Sequence, residues 1–313
     1  MGEVGVIETV LITGANAGLG REAARQMAMF NATERIYLAC RSRTKADKAR
    51  LSLEASTGRS IFEVVVLDTS DLNSVRGAVE ALDRPVAGLV MNAGGIVGRN
   101  FAEKTPEGVT QMLAVNLLGH VVLLEALLAS RKLTDVAIFS SSETARGVPR
   151  LGLKKPRLET YSVDEFASIC DGSFFKGEMN FMIAYQYVKF IGGLYMSAMA
   201  RKHPDLRLLT VSPGSTLGTD VYKNAPLSTR IKLKIVTSLP FKSMKEGNFH
   251  GVEAGAKRYV DVLNDHAYKT GAFYASKKSA LTGPLVDQGD FFEDLNNERY
   301  QDNVYEALHR FIK

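Results

Sequence analysis

Through the first two-thirds of the chain, apolar runs of strand length alternate with longer stretches in which apolar residues recur at three- and four-residue steps. The short runs, Thr9–Thr13, Arg35–Cys40, Ile61–Leu67, Val86–Asn92, Asp135–Ser140 and Leu206–Ser212, predict six strands. The helix-period stretches lie near 18–30, 44–56, 71–83, 107–129 and 181–202. Consecutive strands separated by a helix-length crossover pair in parallel, and the crossovers cover both faces of the sheet. The expected fold class is therefore α/β, a doubly wound parallel sheet of the Rossmann type in three αβα layers. No sequence period recurs of the length that builds solenoids.

Two stretches break the rhythm. Residues 143–180 hold Gly147, Pro149, Gly152, Pro156, Gly172 and Gly177 among charges, too long for a plain connection, and are read as an insertion. Residues 214–250 follow the sixth strand and interleave Arg230, Lys232, Lys234, Lys242 and Lys245 with Ile231, Leu233, Ile235, Val236, Leu239 and Phe241. Lysine stems can lie along apolar surface while their ammonium groups reach water or an anion, so this segment suits a substrate lid or a peripheral membrane contact. Its position directly after the Pro213-Gly214 turn favours the lid. Beyond it, Gly251–Asp265 predicts a helix, Thr270–Ser276 a short strand and Asp287–Ile312 a terminal helical segment. Residues 1–313 are read as a single Rossmann-type domain carrying the insertion and the lid.

Composition narrows the class. Of 313 residues, 45% are hydrophobic and 23% charged, the balance of a globular chain with a real core. No continuous apolar run approaches the ~20 residues that cross a bilayer. The first apolar stretch, Val4–Ile12, leads into a glycine-rich turn instead of a cleavage site, so a cytoplasmic chain, at most peripheral to a membrane, is expected. Cys40 and Cys170 belong to no CxxC or Cys/His cluster, which points away from a disulfide framework or a metal site. Lys plus Arg exceed Asp plus Glu by 39 to 34, and the isoelectric point is near 9.0. That excess suits an anionic small molecule but is too slight and scattered for nucleic acid, and no Trp is present as a stacking platform.

The turn after the first strand reads Thr13-Gly14-Ala15-Asn16-Ala17-Gly18-Leu19-Gly20. Glycines at 14, 18 and 20 allow a tight turn, let a pyrophosphate approach the main chain and aim it at the open amides of a helix N-terminus. After the second strand, an enzyme that prefers NAD would carry a ribose-binding acid. Here Arg41 and Arg43 follow Cys40, and two arginines suit a 2′-phosphate, which favours NADP(H). Asp68 and the Asn92-Ala93-Gly94 stretch end the third and fourth strands; they are either adenosine contacts or turn formers.

Tyr185 and Lys189 stand four apart and so share one face of a helix. An ammonium beside a phenol favours the phenolate, as proton transfer requires. Ser140-Ser141-Ser142 closes the fifth strand at the carboxyl edge of the sheet, where open α/β folds bind ligands, and can give a hydroxyl to the oxygen that Tyr185 protonates. Asn116 is a polar residue inside an apolar helix, either a satisfied core amide or a site residue.

In order and spacing, TGANAGLG, NAG, Asn116, the serine run, YQYVK and Ser212-Pro213-Gly214 resemble the short-chain dehydrogenase/reductase family over residues 8 to about 222. The resemblance implies that Ser141, with the neighbouring Ser142 as the alternative, orients the substrate oxygen, Tyr185 donates the proton, Lys189 holds the nicotinamide ribose and tunes Tyr185, and Asn116 positions a relay water. It further implies cofactor contacts from Pro213, Gly214, Thr216 and Thr219. The long gap from Ser141 to Tyr185 resembles the light-dependent protochlorophyllide reductases and, more loosely, the retinol-dehydrogenase-like enzymes. The six-residue step from Pro213 to Thr219 is similar to the former, which implies a bulky, apolar pigment as substrate and a role in chlorophyll biosynthesis. Ser215, where those enzymes carry a cysteine, departs from that pattern. The alternatives are dark reduction of a lipophilic ketone, aldehyde or retinoid, and a non-catalytic NADP-binding regulator.

Overall fold

The first strand, β1 (Thr9–Thr13), is buried at every position, as a strand covered on both faces must be. Around it the computed structural model, which describes residues 7–95, 97–98, 100–149, 152–177, 180–218 and 248–312, builds one eight-stranded sheet. The other strands are β2 (Arg35–Cys40), β3 (Phe62–Val66), β4 (Val86–Met91), β5 (Leu133–Ser140), β6 (Arg207–Val211), β7 (Phe273–Ser276) and β8 (Leu285–Asp287). Their order is β3-β2-β1-β4-β5-β6-β7-β8, parallel up to β7. The last strand, β8, runs antiparallel to β7 and adds an edge strand that the sequence pattern did not predict. With β1 flanked by β2 and β4, the chain reverses its winding there, and the crevice between the carboxyl ends of β1 and β4 is where such a sheet binds ligands.

Three helices cover one face: α1 (Gly18–Met27), α2 (Arg43–Thr57) and, from near the end of the chain, the helix at Val252–Asn264. The other face carries α3 (Leu72–Glu80), α4 (Gln111–Ala129) and the long helix Phe181–Lys202. Local chemistry sets several of these ends. Ser42 caps α2 and Asp71 caps α3 by accepting from first-turn amides, and Gly58 closes α2 in the left-handed conformation. In α4 a π-helical stretch, Ala114–Leu118, interrupts the α-helical hydrogen bonding around Asn116.

The insertion contains a helix that the pattern did not reveal, α5 (Val163–Asp171). The long helix is then α6 (Phe181–Lys202), the next α7 (Val252–Asn264) and the last α8 (Glu298–His309). Both α5 and α8 pack on each other and on α6, so α6 is buried nearly all round. Tyr161 stacks on Tyr300 with ring centroids 4.0 Å apart, and its hydroxyl donates to Asp294. Helix α4 corrects another expectation: it has the length and apolar composition to span a bilayer, but 72% of its most apolar window is buried inside the protein. Residues 219–247, hence Thr219 and nearly all of the expected lid, lie outside the described residues.

Candidate active site

Two adjoining clefts of about 350 Å3 each open at the carboxyl edge of the sheet and share Gly14, Asn16, Arg41 and Gly94. The glycine-rich turn forms their common floor. Gly14 and Gly18 take positive φ angles of 68° and 53°. A Cβ on Gly20 would stand 2.6 Å from Asn92 Nδ2 and 2.7 Å from the Gly14 carbonyl, so only glycine lets α1 start this close to the turn. Ala17 gives α1 no side-chain cap, which leaves its first amides beside Gly18 and Leu19 facing the cleft. Asn92 lines the cleft too, yet its amide nitrogen donates to the Thr13 carbonyl at 2.8 Å and so ties the end of β4 to the turn.

At the other end of the first cleft stand Ser141, Tyr185, Lys189 and Pro213. Helix α6 presses directly on β5 there: a Cβ on Gly192 would lie 2.2 Å from the Phe139 ring. This approach buries Lys189, whose ammonium donates to the Ser140 carbonyl at 2.7 Å and lies 5.4 Å from the centre of the Tyr185 ring. Burial pulls the Lys189 ammonium down to about 7. The Ser141 hydroxyl donates to the Lys189 carbonyl at 3.1 Å, so Ser141 is held by the backbone of Lys189, and the Lys189 ammonium by the backbone of Ser140.

The remaining expected residues divide. Arg41, with its side chain 75% exposed, borders both clefts and stands 3.8 Å from Asp68 in a loose ion pair. Asp68 lines the second cleft and accepts from the Ser70 amide and hydroxyl. Ala93 borders both clefts. Arg43 instead pairs with Asp47 one turn along α2 and lines neither. Asn116 is fully buried: its oxygen accepts from the Gly95 amide at 2.7 Å, and its nitrogen donates to the carbonyls of Gly95 and Met112. Its side chain therefore anchors the loop that borders the clefts. Gly214 and Thr216 sit behind Pro213, where the Thr216 hydroxyl donates to the Gly214 carbonyl at 3.1 Å.

Three groups near the site escaped the sequence reading. His120 is buried one turn beyond Asn116, with Nε2 3.0 Å from the Thr13 hydroxyl. That hydroxyl already accepts from the amides of Asn92 and Ala93, and its proton has both His120 Nε2 and, at 3.4 Å, the Val90 carbonyl within reach. Burial, and then the Lys189 charge, pull His120 down to about 3 and keep it neutral. His250 donates from Nε2 to the Pro213 carbonyl at 2.7 Å. Glu143, two residues beyond Ser141, forms a buried ion pair with Arg258. The 120 and 250 positions carried a signal, since histidine is scarce here, with five in the chain; Glu143 and Arg258, charges among many, carried none.

A family model described as the KR domain matches residues 8–152. Retinol dehydrogenase 12 of Bos taurus is 39% identical over 127 residues, 40% of this chain and 39% of its own length. Thus the chain spans about two-fifths of the length of the retinol dehydrogenases it matches. The short chain dehydrogenase atnD of Emericella nidulans is 27% identical over 284 residues, 86% of this chain and 87% of its own. The fold is similar to that of NADPH-bound carbonyl reductase from chicken fatty liver, with a TM-score of 0.58 at 17% identity, covering 89% of this chain and 99% of the other. These matches make the chain similar to the short-chain dehydrogenase/reductase family, with the retinol dehydrogenases among its relatives. The serine, tyrosine and lysine that resemble that family's pattern stand on the walls of one cleft, beside the glycine turn.

Proposed function

We propose that the chain is an NADP(H)-dependent oxidoreductase that interconverts an alcohol and a carbonyl on a bulky, largely apolar small molecule. The observation that carries this reading is the single cleft bordered by the uncapped start of α1, Arg41, Ser141, Tyr185 and Lys189. A dinucleotide fits it. The amides at 18–20 meet a pyrophosphate, the exposed Arg41 guanidinium meets a 2′-phosphate, and Lys189 reaches the end where ribose and nicotinamide would lie. When bound, NADPH supplies the hydride. Ser141 turns its hydroxyl proton from the Lys189 carbonyl toward the substrate oxygen, and Tyr185 gives that oxygen its phenolic proton as the carbonyl carbon gains the hydride. The Lys189 ammonium then faces the phenolate left on Tyr185.

The test is NADPH consumption with all-trans-retinal and a panel of aromatic ketones, and its dependence on Tyr185. Tyr185→Phe keeps the ring and loses the proton, so turnover should fall by ~10²–10⁴ while NADPH affinity barely changes. Unchanged turnover would remove Tyr185 from the chemistry. The name of the retinol dehydrogenases supports a lipophilic alcohol or aldehyde as the substrate class. A second reading, light-driven reduction of protochlorophyllide, rests on the spacing from Pro213 to Thr219 and has Ser215 against it. Spectra of protein, NADPH and the pigment, in darkness and after a flash, separate the two.

A further inference from the structure

Behind Pro213, a carboxylate and a guanidinium are buried together. Glu143 and Arg258 have side chains only 5% and 7% exposed, and Nη1 of Arg258 lies 3.3 Å from Oε1 of Glu143. Removing two charges from water costs more than a bare pair regains, and an apolar pair of equal volume would stabilise as well or better. What an apolar pair cannot supply is aimed hydrogen bonds, and here these run to Ser212 after β6, to Ser276 at the end of β7 and to Gly283 in the connection from β7 to β8. Arg258 donates to the Ser212 carbonyl at 3.0 Å, the Ser276 hydroxyl at 2.9 Å and the Gly283 carbonyl at 2.7 Å. Glu143 accepts from the Ser276 hydroxyl at 2.9 Å and, through its other oxygen, from the Ser212 hydroxyl.

The last bond extends the network into the cleft wall. The Ser212 hydroxyl, with its proton committed to Glu143, accepts from the Gly214 amide at 3.1 Å. Gly214 holds φ at +78°, and a Cβ there would stand 2.8 Å from Arg258 Nη1. Carboxylate, hydroxyl and guanidinium thus fix the left-handed turn directly after Pro213, whose carbonyl His250 grips from the other side. Glu143 itself follows Ser141 by two residues, and the Ser141 amide donates to the Val211 carbonyl, the residue before Ser212. One buried pair therefore sets the spacing between the serine wall and the proline wall of the cleft.

We infer that Glu143 and Arg258 are positioning residues that, through Ser212, hold the Pro213-Gly214 turn in register with Ser141 to receive the nicotinamide end of the cofactor. This inference rests on the NADP(H) reading above. It predicts a selective defect: the adenosine half of the cofactor, which meets the α1 and Arg41 end, should not sense the pair.

Two ligands separate the halves, NADPH and adenosine 2′,5′-bisphosphate, which lacks nicotinamide, with dissociation constants measured by titration. Ser212→Ala removes only the hydroxyl that joins the pair to the turn and leaves the charges together. Glu143→Gln alone strands the Arg258 charge, so Glu143→Gln/Arg258→Met serves if it misfolds. In Ser212→Ala we expect NADPH to bind about tenfold weaker, with bisphosphate affinity unchanged and kcat lowered. A ratio of the two affinities equal to the wild type's in both Ser212→Ala and the double variant would reduce the network to a fold element and overturn the inference. Failure of the wild type to bind either ligand would instead overturn the cofactor reading.

Discussion

Lys189 carries two opposed demands. The reaction needs its charge beside Tyr185, while burial disfavours that charge and pulls the ammonium down to about 7 from an ordinary value near 10.5. Between those values the unfolded chain holds the proton that the folded chain has lost, so wild-type stability rises with pH across that window, and the full penalty is felt below about pH 7. Lys189→Met abolishes activity and lacks this dependence. Its melting temperature minus that of the wild type should be larger at pH 6 than at pH 9, whatever the lost bond to the Ser140 carbonyl costs. A difference independent of pH would mean that Lys189 keeps its proton in the folded state. The Tyr185/Lys189 pair was legible because a helix makes i and i+4 neighbours. The partner of Asn116 was not, since Gly95 reaches it through loop geometry that spacing does not encode, whereas Arg43 and Asp47 stand at that same i and i+4 spacing on α2.

Among the elements, the buried strands and long helices followed from their periods, and the insertion helix did not. Yet α5 carried a start signal: Ser162 accepts from the Glu165 amide, and the Glu165 carboxylate reaches back to the amides of Glu159, Thr160 and Tyr161. Strand β8 left no signal, because three half-buried residues are too few to alternate. Helix α8 is tied down through His309, whose Nδ1 donates to the Tyr305 carbonyl and whose Nε2 lies 3.0 and 3.2 Å from the Glu125 oxygens. The Glu125 hydrogen bond raises the His309 proton affinity above the usual value, against burial and the nearby Lys202 charge. Glu125 also accepts from the Tyr195 hydroxyl. A raised folded value means that the stabilisation is complete below about pH 6.5 and fades as pH climbs through the folded value. Hydrogen exchange at the end of α8, corrected for the intrinsic rate, should therefore show easier opening at pH 8.5 than at pH 6. In His309→Asn that difference should vanish; its survival there would assign the pH dependence to another group.

At the scale of the molecule, the two ends of the cleft come from different parts of the chain. The glycine turn, Arg41 and Asp68 stand on the early strands, and Ser141, Tyr185 and Lys189 on β5 and α6, which α5 and α8 cover. One apolar cluster nonetheless runs from Leu11 in β1 through Phe139 and Phe190 to Leu308 in α8. Such continuity predicts that the tail unfolds with the sheet. Leu308 is fully buried, and Leu308→Ala removes packing worth ~2–5 kcal/mol. The melting temperature should drop in a single transition, with activity and adenosine 2′,5′-bisphosphate binding lost at the same temperature. If turnover fails first while the bisphosphate still binds, α8 and α5 open as a separate layer, and the reactive end of the cleft depends on a cover that the nucleotide end does not need.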